Sequence, residues 1–74
     1  MSDTLEEPLT NREFSVLQLM KQGLLSKEIA NSLNVSINTI NTHRQNILLK
    51  LKANNSIEAV NIAQRLGLLN SSIQ

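Results

Sequence analysis

The chain predicts an all-α fold, a bundle of four short helices. No segment alternates apolar and polar residues over a strand length, and apolar residues instead recur at three- and four-residue spacings. Between these stretches lie residues that start and stop helices: Thr10, Ser26, Ser36 and Ser56 at the beginnings, and Gly23, Asn34 and Gly67 at the ends.

Residues 1–8 read as a flexible acidic arm that closes at Pro8, and structure is expected from Leu9. Thr10 followed three positions later by Glu13 is the pattern of a capping box, in which each residue's side chain bonds the other's backbone N–H. Leu9 can staple onto Phe14, Val16, Leu17, Leu19 and Met20 continue the apolar stripe, and Gly23 ends helix one.

Helix two opens at Ser26 and places Ile29, Ala30 and Leu33 on one side. Asn34 tolerates the left-handed backbone of a sharp turn because its short amide bonds locally. Val35 then tucks inward, and Ser36 caps helix three with Thr39 three residues on. The connection is only three or four residues long, so it fixes the angle between the two helices. Ala30 is small enough for their backbones to approach closely.

On helix three, residues 36–51, Ile37, Ile40, Ile47, Leu48 and Leu51 gather on one face and predict its core contact. Asn38, Asn41, Thr42 and Gln45 gather on the opposite face. Their amides and hydroxyl both donate and accept hydrogen bonds, as base edges in a DNA major groove require, and Asn or Gln matches adenine. A lone helix with such a face is most simply a solvated one. The preceding helix and short turn make it a base-reading helix of a helix-turn-helix.

A link through Ala53, Asn54 and Asn55 leads to Ser56, the expected cap of helix four, which runs to about Leu66 before Gly67. Ile62, Ala63, Leu66 and Leu69, with Ala59 and Val60, form an apolar band wider than one small core needs. Part of it is therefore expected to remain exposed as a dimer contact. A domain over 9–70 and a flexible tail over 71–74 complete the expected organisation.

Composition narrows the function classes. A chain of 74 residues supports one small core, burying about 60% of the surface it exposes when unfolded. There is no cysteine and a single histidine, His43, so neither disulfides nor a thiolate or histidine-cluster metal site is expected, and no cofactor is implied. No apolar run approaches the roughly 20 residues of a membrane span, and the acidic N-terminus lacks the basic region of a secretory signal, so a cytoplasmic location is expected. The net charge of +1 conceals an asymmetry: residues 1–7 hold three acids and no base, leaving seven bases against three acids from Pro8 onward. That excess suits a polyanionic partner. An enzyme is not expected, because neither glycine lies in a phosphate-cradling loop and His43 has no acid, Ser or Cys placed to form a triad.

Together, Leu9-Thr10, Arg12-Glu13, Val16-Leu17, Gly23, Lys27-Glu28-Ile29-Ala30, Val35-Ser36, Thr39-Ile40, His43, Asn46-Ile47 and Lys50-Leu51 make residues 9–69 resemble the LuxR-type helix-turn-helix. This is the C-terminal DNA-binding domain of NarL/FixJ response regulators and quorum-sensing regulators. The resemblance implies a bacterial transcription regulator that binds double-stranded DNA through helix three and often dimerises through helix four, with RNA polymerase as a further candidate partner. It places base reading on Asn41, Thr42 and Gln45, and phosphate contacts on Thr10, Arg12, Lys27, Ser36, Thr39, Arg44 and Lys50. For Arg44 an alternative stays open, a packed stem with its guanidinium paired to Glu13 or Glu28. Three features depart from the family pattern: Leu49 stands where a basic residue is usual, Lys52 where glycine usually follows helix three, and the amide-rich reading face differs from many relatives that carry Lys or Arg, which suggests a preference for A·T-containing steps over guanine contacts. The competing expectation is a polymerase-bound promoter adaptor like region four of sigma factors, which has a similar helix-turn-helix. The helix-four segment after the pair argues against it.

Overall fold

The computed structural model describes residues 7–69, and the expected tail and residues 1–6 of the expected arm lie outside them. Four helices follow in order, α1 (Asn11–Lys21), α2 (Ser26–Leu33), α3 (Ile37–Leu51) and α4 (Ser56–Arg65), with no strand among the described residues. The expected all-α class is the observed one. α1 and α3 each pack against all of the other helices, α3 the more extensively, whereas α2 and α4 do not touch, so α3 is the central element.

The core draws on all four helices: Val16, Leu17 and Met20 of α1, Ile29 and Ala30 of α2, Ile40, Ile47 and Leu51 of α3, Ala59 and Ala63 of α4, and Leu69 beyond it. Leu17, Ile29, Ile40 and Ile47 are among the largest side chains fully withdrawn from solvent. Ala30 is buried, as the small-residue reading requires, and Val35 packs on the core. Ile37 does not: at the first residue of α3 it is 44% exposed, whereas Ile40 one turn on is fully buried.

The helix starts divide into expected and shifted ones. At α1 the capping box is complete, with Glu13 N–H donating to Thr10 Oγ1 at 3.1 Å and Thr10 N–H donating to Glu13 Oε1 at 3.0 Å. Ser36 caps α3, accepting from Thr39 N–H at 3.1 Å, while the two hydroxyls also bond each other at 2.9 Å. At α2 the cap is Leu25 rather than Ser26, and its N–H is taken by the Glu28 carboxylate at 2.7 Å. At α4 the cap is Asn55 rather than Ser56, its Oδ1 accepting from Glu58 N–H at 2.8 Å.

All four helices end in the same way. A residue in the left-handed region donates to the carbonyl three residues back, and the next residue donates to the carbonyl five back: Gly23 and Leu24, Asn34 and Val35, Lys52 and Ala53, Gly67 and Leu68. This is the Schellman motif, whose second residue makes an apolar contact with the helix it ends. Leu24, Val35, Ala53 and Leu68 all pack against the core accordingly. Each sharp stop therefore also anchors the start of the next connection.

Lys52 departs from the pattern only in residue type. Its φ of 56° and ψ of 42° are those of the expected glycine cap, so the cap geometry is kept at the steric cost of a side chain in the left-handed region. Lys52→Gly relieves that cost but gives up the interaction Lys52 makes and adds freedom to the unfolded chain. The expected net gain is about 0.5–1 kcal/mol of stability by urea denaturation. Asn34→Gly, where the native residue already suits the conformation, should change stability by less.

Candidate nucleic-acid interface

The turn between α2 and α3 is three residues long, Asn34-Val35-Ser36, with Asn34 at φ 61°. Its Schellman bonds and the Ser36 cap fix both sides of the turn, so the direction of α3 relative to α2 follows from local hydrogen bonds. Asn38, Asn41, Thr42 and Gln45 are all exposed on the side of α3 away from Ile40, Ile47 and Leu51. The structure thus brings together every side chain expected to read bases.

The residues expected at phosphates divide into two groups. Thr10, Arg12, Lys27, Ser36 and Thr39 are exposed near the starts of α1, α2 and α3. The hydroxyls of Thr10 and Ser36 already accept capping bonds. Helix N-termini carry partial positive charge and attract phosphate, so this placement adds backbone dipoles to the two side-chain charges, Arg12 and Lys27.

Arg44 and Lys50 are half-buried and engaged within the chain. The Arg44 Nη2 group donates to Ser56 Oγ, so its partner is a hydroxyl of α4 and neither Glu13 nor Glu28. Lys50 Nζ donates to Glu13 Oε1 at 2.7 Å and to the Pro8 carbonyl at 3.2 Å. This ion pair is well covered, with side-chain exposures of 16% for Lys50 and 4% for Glu13. Sequence reasoning missed it, because the partners stand 37 residues apart and no local pattern links them.

Burial pushes the Glu13 carboxyl up, but the Lys50 hydrogen bond, the Thr10 N–H and the positive potential of Lys50 and His43 outweigh it. The net result lies below the ordinary value of 4.5. His43 is half-buried on α3, and its Nδ1 is enclosed without a hydrogen-bond partner. Among the described residues no cluster of His, Cys, Asp or Glu could hold a metal, and no helix is long and apolar enough to cross a membrane.

Ala63 of α4 and Leu69 beyond it belong to the core of the chain and are buried in it. Ala59 is likewise buried, while Val60, Ile62 and Leu66 are half-buried against that core. The large apolar residue that α4 does expose is Ile57, at 76%. The expected band is therefore spent mainly inside the molecule, because α4 lies against both α1 and α3.

A tri-helical core with a three-residue turn and an exposed polar face on its last helix defines a helix-turn-helix domain, here followed by a fourth helix. The chain belongs to the family described as bacterial regulatory proteins, luxR family, whose profile matches residues 7–63. It is 47% identical over 62 residues to the uncharacterized response regulatory protein YgeK of Escherichia coli K12, covering 84% of this chain and 42% of that protein. It is 42% identical over 62 residues to the putative positive transcription regulator of virulence factors BvgA of Bordetella pertussis, covering 84% and 30%. Among solved structures it resembles the response regulator ChrA of a heme-sensing two-component system, with TM-score 0.83 and 32% identity over 89% of this chain and 33% of that one. The chain thus spans less than half the length of these relatives. The family match decides between the two expectations in favour of the LuxR type.

The covered ion pair yields a test. Lys50→Met leaves the Glu13 carboxylate buried without its cation, and stability at pH 7 should fall by about 3 kcal/mol. Because the folded-state value of Glu13 is depressed, its contribution is present above about pH 4.5 and is lost as pH falls through the folded value. The gap between wild type and Lys50→Met, followed by urea denaturation, should therefore narrow below pH 4.5.

Proposed function

We propose that this domain binds double-stranded DNA sequence-specifically, as the DNA-contacting part of a bacterial transcription regulator, with α3 in the major groove. The observation that carries this reading is the exposed face of Asn38, Asn41, Thr42 and Gln45 directly after a turn held by hydrogen bonds on both sides. Asn41 and Gln45 lie one helical turn apart, so both amides can meet base edges at once, and Thr42 beside them offers a hydroxyl and a methyl.

Arg12 and Lys27 supply the charged phosphate contacts in this reading, and Thr10, Ser36 and Thr39 add polar contacts at helix starts. Arg44 and Lys50 each retain unused donors, yet their first task is to tie α3 to the rest of the fold. A homodimer through α4 would use the half-buried margins of Ile62 and Leu66, which lie about 40° apart around the helix, whereas the exposed Ile57 projects about 140° or more away from both.

A duplex selected from a random library and a scrambled duplex, titrated side by side, test the assignment. Asn41→Ala or Gln45→Ala should weaken the selected duplex by about 1–3 kcal/mol and leave the scrambled one nearly unchanged. Lys27→Ala should weaken both by a similar factor, since phosphates are common to all sequences. Unchanged specific-to-scrambled ratios for Asn41→Ala and Gln45→Ala would remove base reading from this face. Sedimentation of the same complexes reports whether one copy or two bind, and a single copy on the selected duplex removes the dimer.

A further inference from the structure

The outer face of α3 does not stop at Gln45. At 100° per residue, Leu49 projects within about 20° of both Asn38 and Thr42 and about 40° from Gln45. It is 71% exposed, although a leucine gains by leaving water. It is also held firmly: α3 remains regular through Leu51, and the Leu48 and Leu49 carbonyls accept the bonds that close the Schellman motif. An exposed aliphatic side chain on a regular stretch of helix therefore continues a row of amides and a hydroxyl.

The charge of this face narrows what the leucine can meet. Arg44 and Lys50, the charged residues of α3, are turned to Ser56 and to Glu13 with Pro8, leaving the exposed side of the helix uncharged. In the major groove the one apolar feature of a base edge is the 5-methyl group of thymine. Phosphates are charged, and the C–H groups of the sugars are the same at every base pair and so carry no sequence information. Beside Asn and Gln, which match adenine, an aliphatic group completes a surface suited to A·T pairs on both of their bases.

We propose that Leu49 is a specificity-determining residue that packs against the 5-methyl group of a thymine, extending the reading face of α3 by one turn toward A·T-containing sites. This rests on the DNA-binding reading above. Other exposed apolar residues do not share the position: Leu25 caps α2, Ile37 opens α3 and Ile57 lies in the first turn of α4. Leu49 alone among them continues the Asn38-Thr42-Gln45 row.

The experiment uses a duplex selected with the wild-type chain from a random library, in which each thymine is replaced in turn by uracil. Uracil keeps every hydrogen-bonding group and lacks only the methyl. Wild type should lose affinity about three- to fivefold at one thymine, the effect expected for one buried methyl group. Leu49→Ala should lose a similar factor on the unmodified duplex and become indifferent to uracil at that position. Since Leu49 is exposed and alanine favours helix, Leu49→Ala should stay folded, and circular dichroism with Leu49→Met as a second variant verifies it. Leu49→Met should keep part of the thymine preference. If Leu49→Ala distinguishes thymine from uracil at every position as wild type does, or wild type senses no methyl at all, the proposal is overturned. Failure of the DNA-binding reading is separate: wild type would then bind selected and scrambled duplexes alike.

Discussion

The Glu13 carboxylate is the point on which the arrangement of this domain turns. One oxygen, Oε1, completes the capping box at the start of α1 and receives Lys50 from the last turn of α3. Lys50 in turn holds the Pro8 carbonyl, so the entry of the chain, the start of α1 and the end of α3 meet at one place. Nearly two turns earlier on α3, Arg44 reaches Ser56 at the start of α4. The central helix is thus fastened by polar bonds to α1 and α4, while apolar packing joins it to α2 and the remaining core. Because these groups are largely covered, disturbing one leaves a desolvated partner, and the cost exceeds that of a surface pair.

Much of this fold was legible because its controlling interactions are local. A hydroxyl three residues before a glutamate, a glycine or asparagine after an apolar stripe, and the 3.6-residue period of α3 all act within one or two turns. They predicted Thr10 with Glu13, Gly23, Asn34, Gly67 and the clustering of Asn38, Asn41, Thr42 and Gln45. Where two neighbouring residues are both able to cap, the sequence cannot choose between them. Asn55 takes the cap of α4 and leaves the Ser56 hydroxyl to Arg44. At α2, the Glu28 carboxylate serves the N–H of Leu25 without any side-chain cap from Ser26.

The unread features are those set by contacts between distant residues. Lys50 with Glu13 is one. The fate of the α4 band is another, since periodicity marks Ala63 and Leu69 as apolar but only the packing of α4 against α1 and α3 places them inside. Ile37 shows the same limit in reverse: it has the right phase for the core, yet it stands 44% exposed at the first residue of α3. The phosphate candidates were separated in the same way, Arg12 and Lys27 remaining on the surface while Arg44 and Lys50 are engaged internally.

A division of labour follows, with charge placed on the flanks and at helix starts and an uncharged surface on the exposed side of α3. In the proposed DNA-binding reading the two halves should respond differently to salt, because counterion release belongs to phosphate contacts and not to amide or methyl contacts with bases. The most direct measurement is affinity for selected and scrambled duplexes across a range of salt concentrations. With Arg12 and Lys27 as the charged phosphate contacts, both logarithms of affinity should fall against log salt with slopes of roughly −2 per subunit, while their difference stays constant. A specific-to-scrambled ratio that collapses as salt rises would mean that charges, not the face of Asn41, Thr42 and Gln45, carry the recognition.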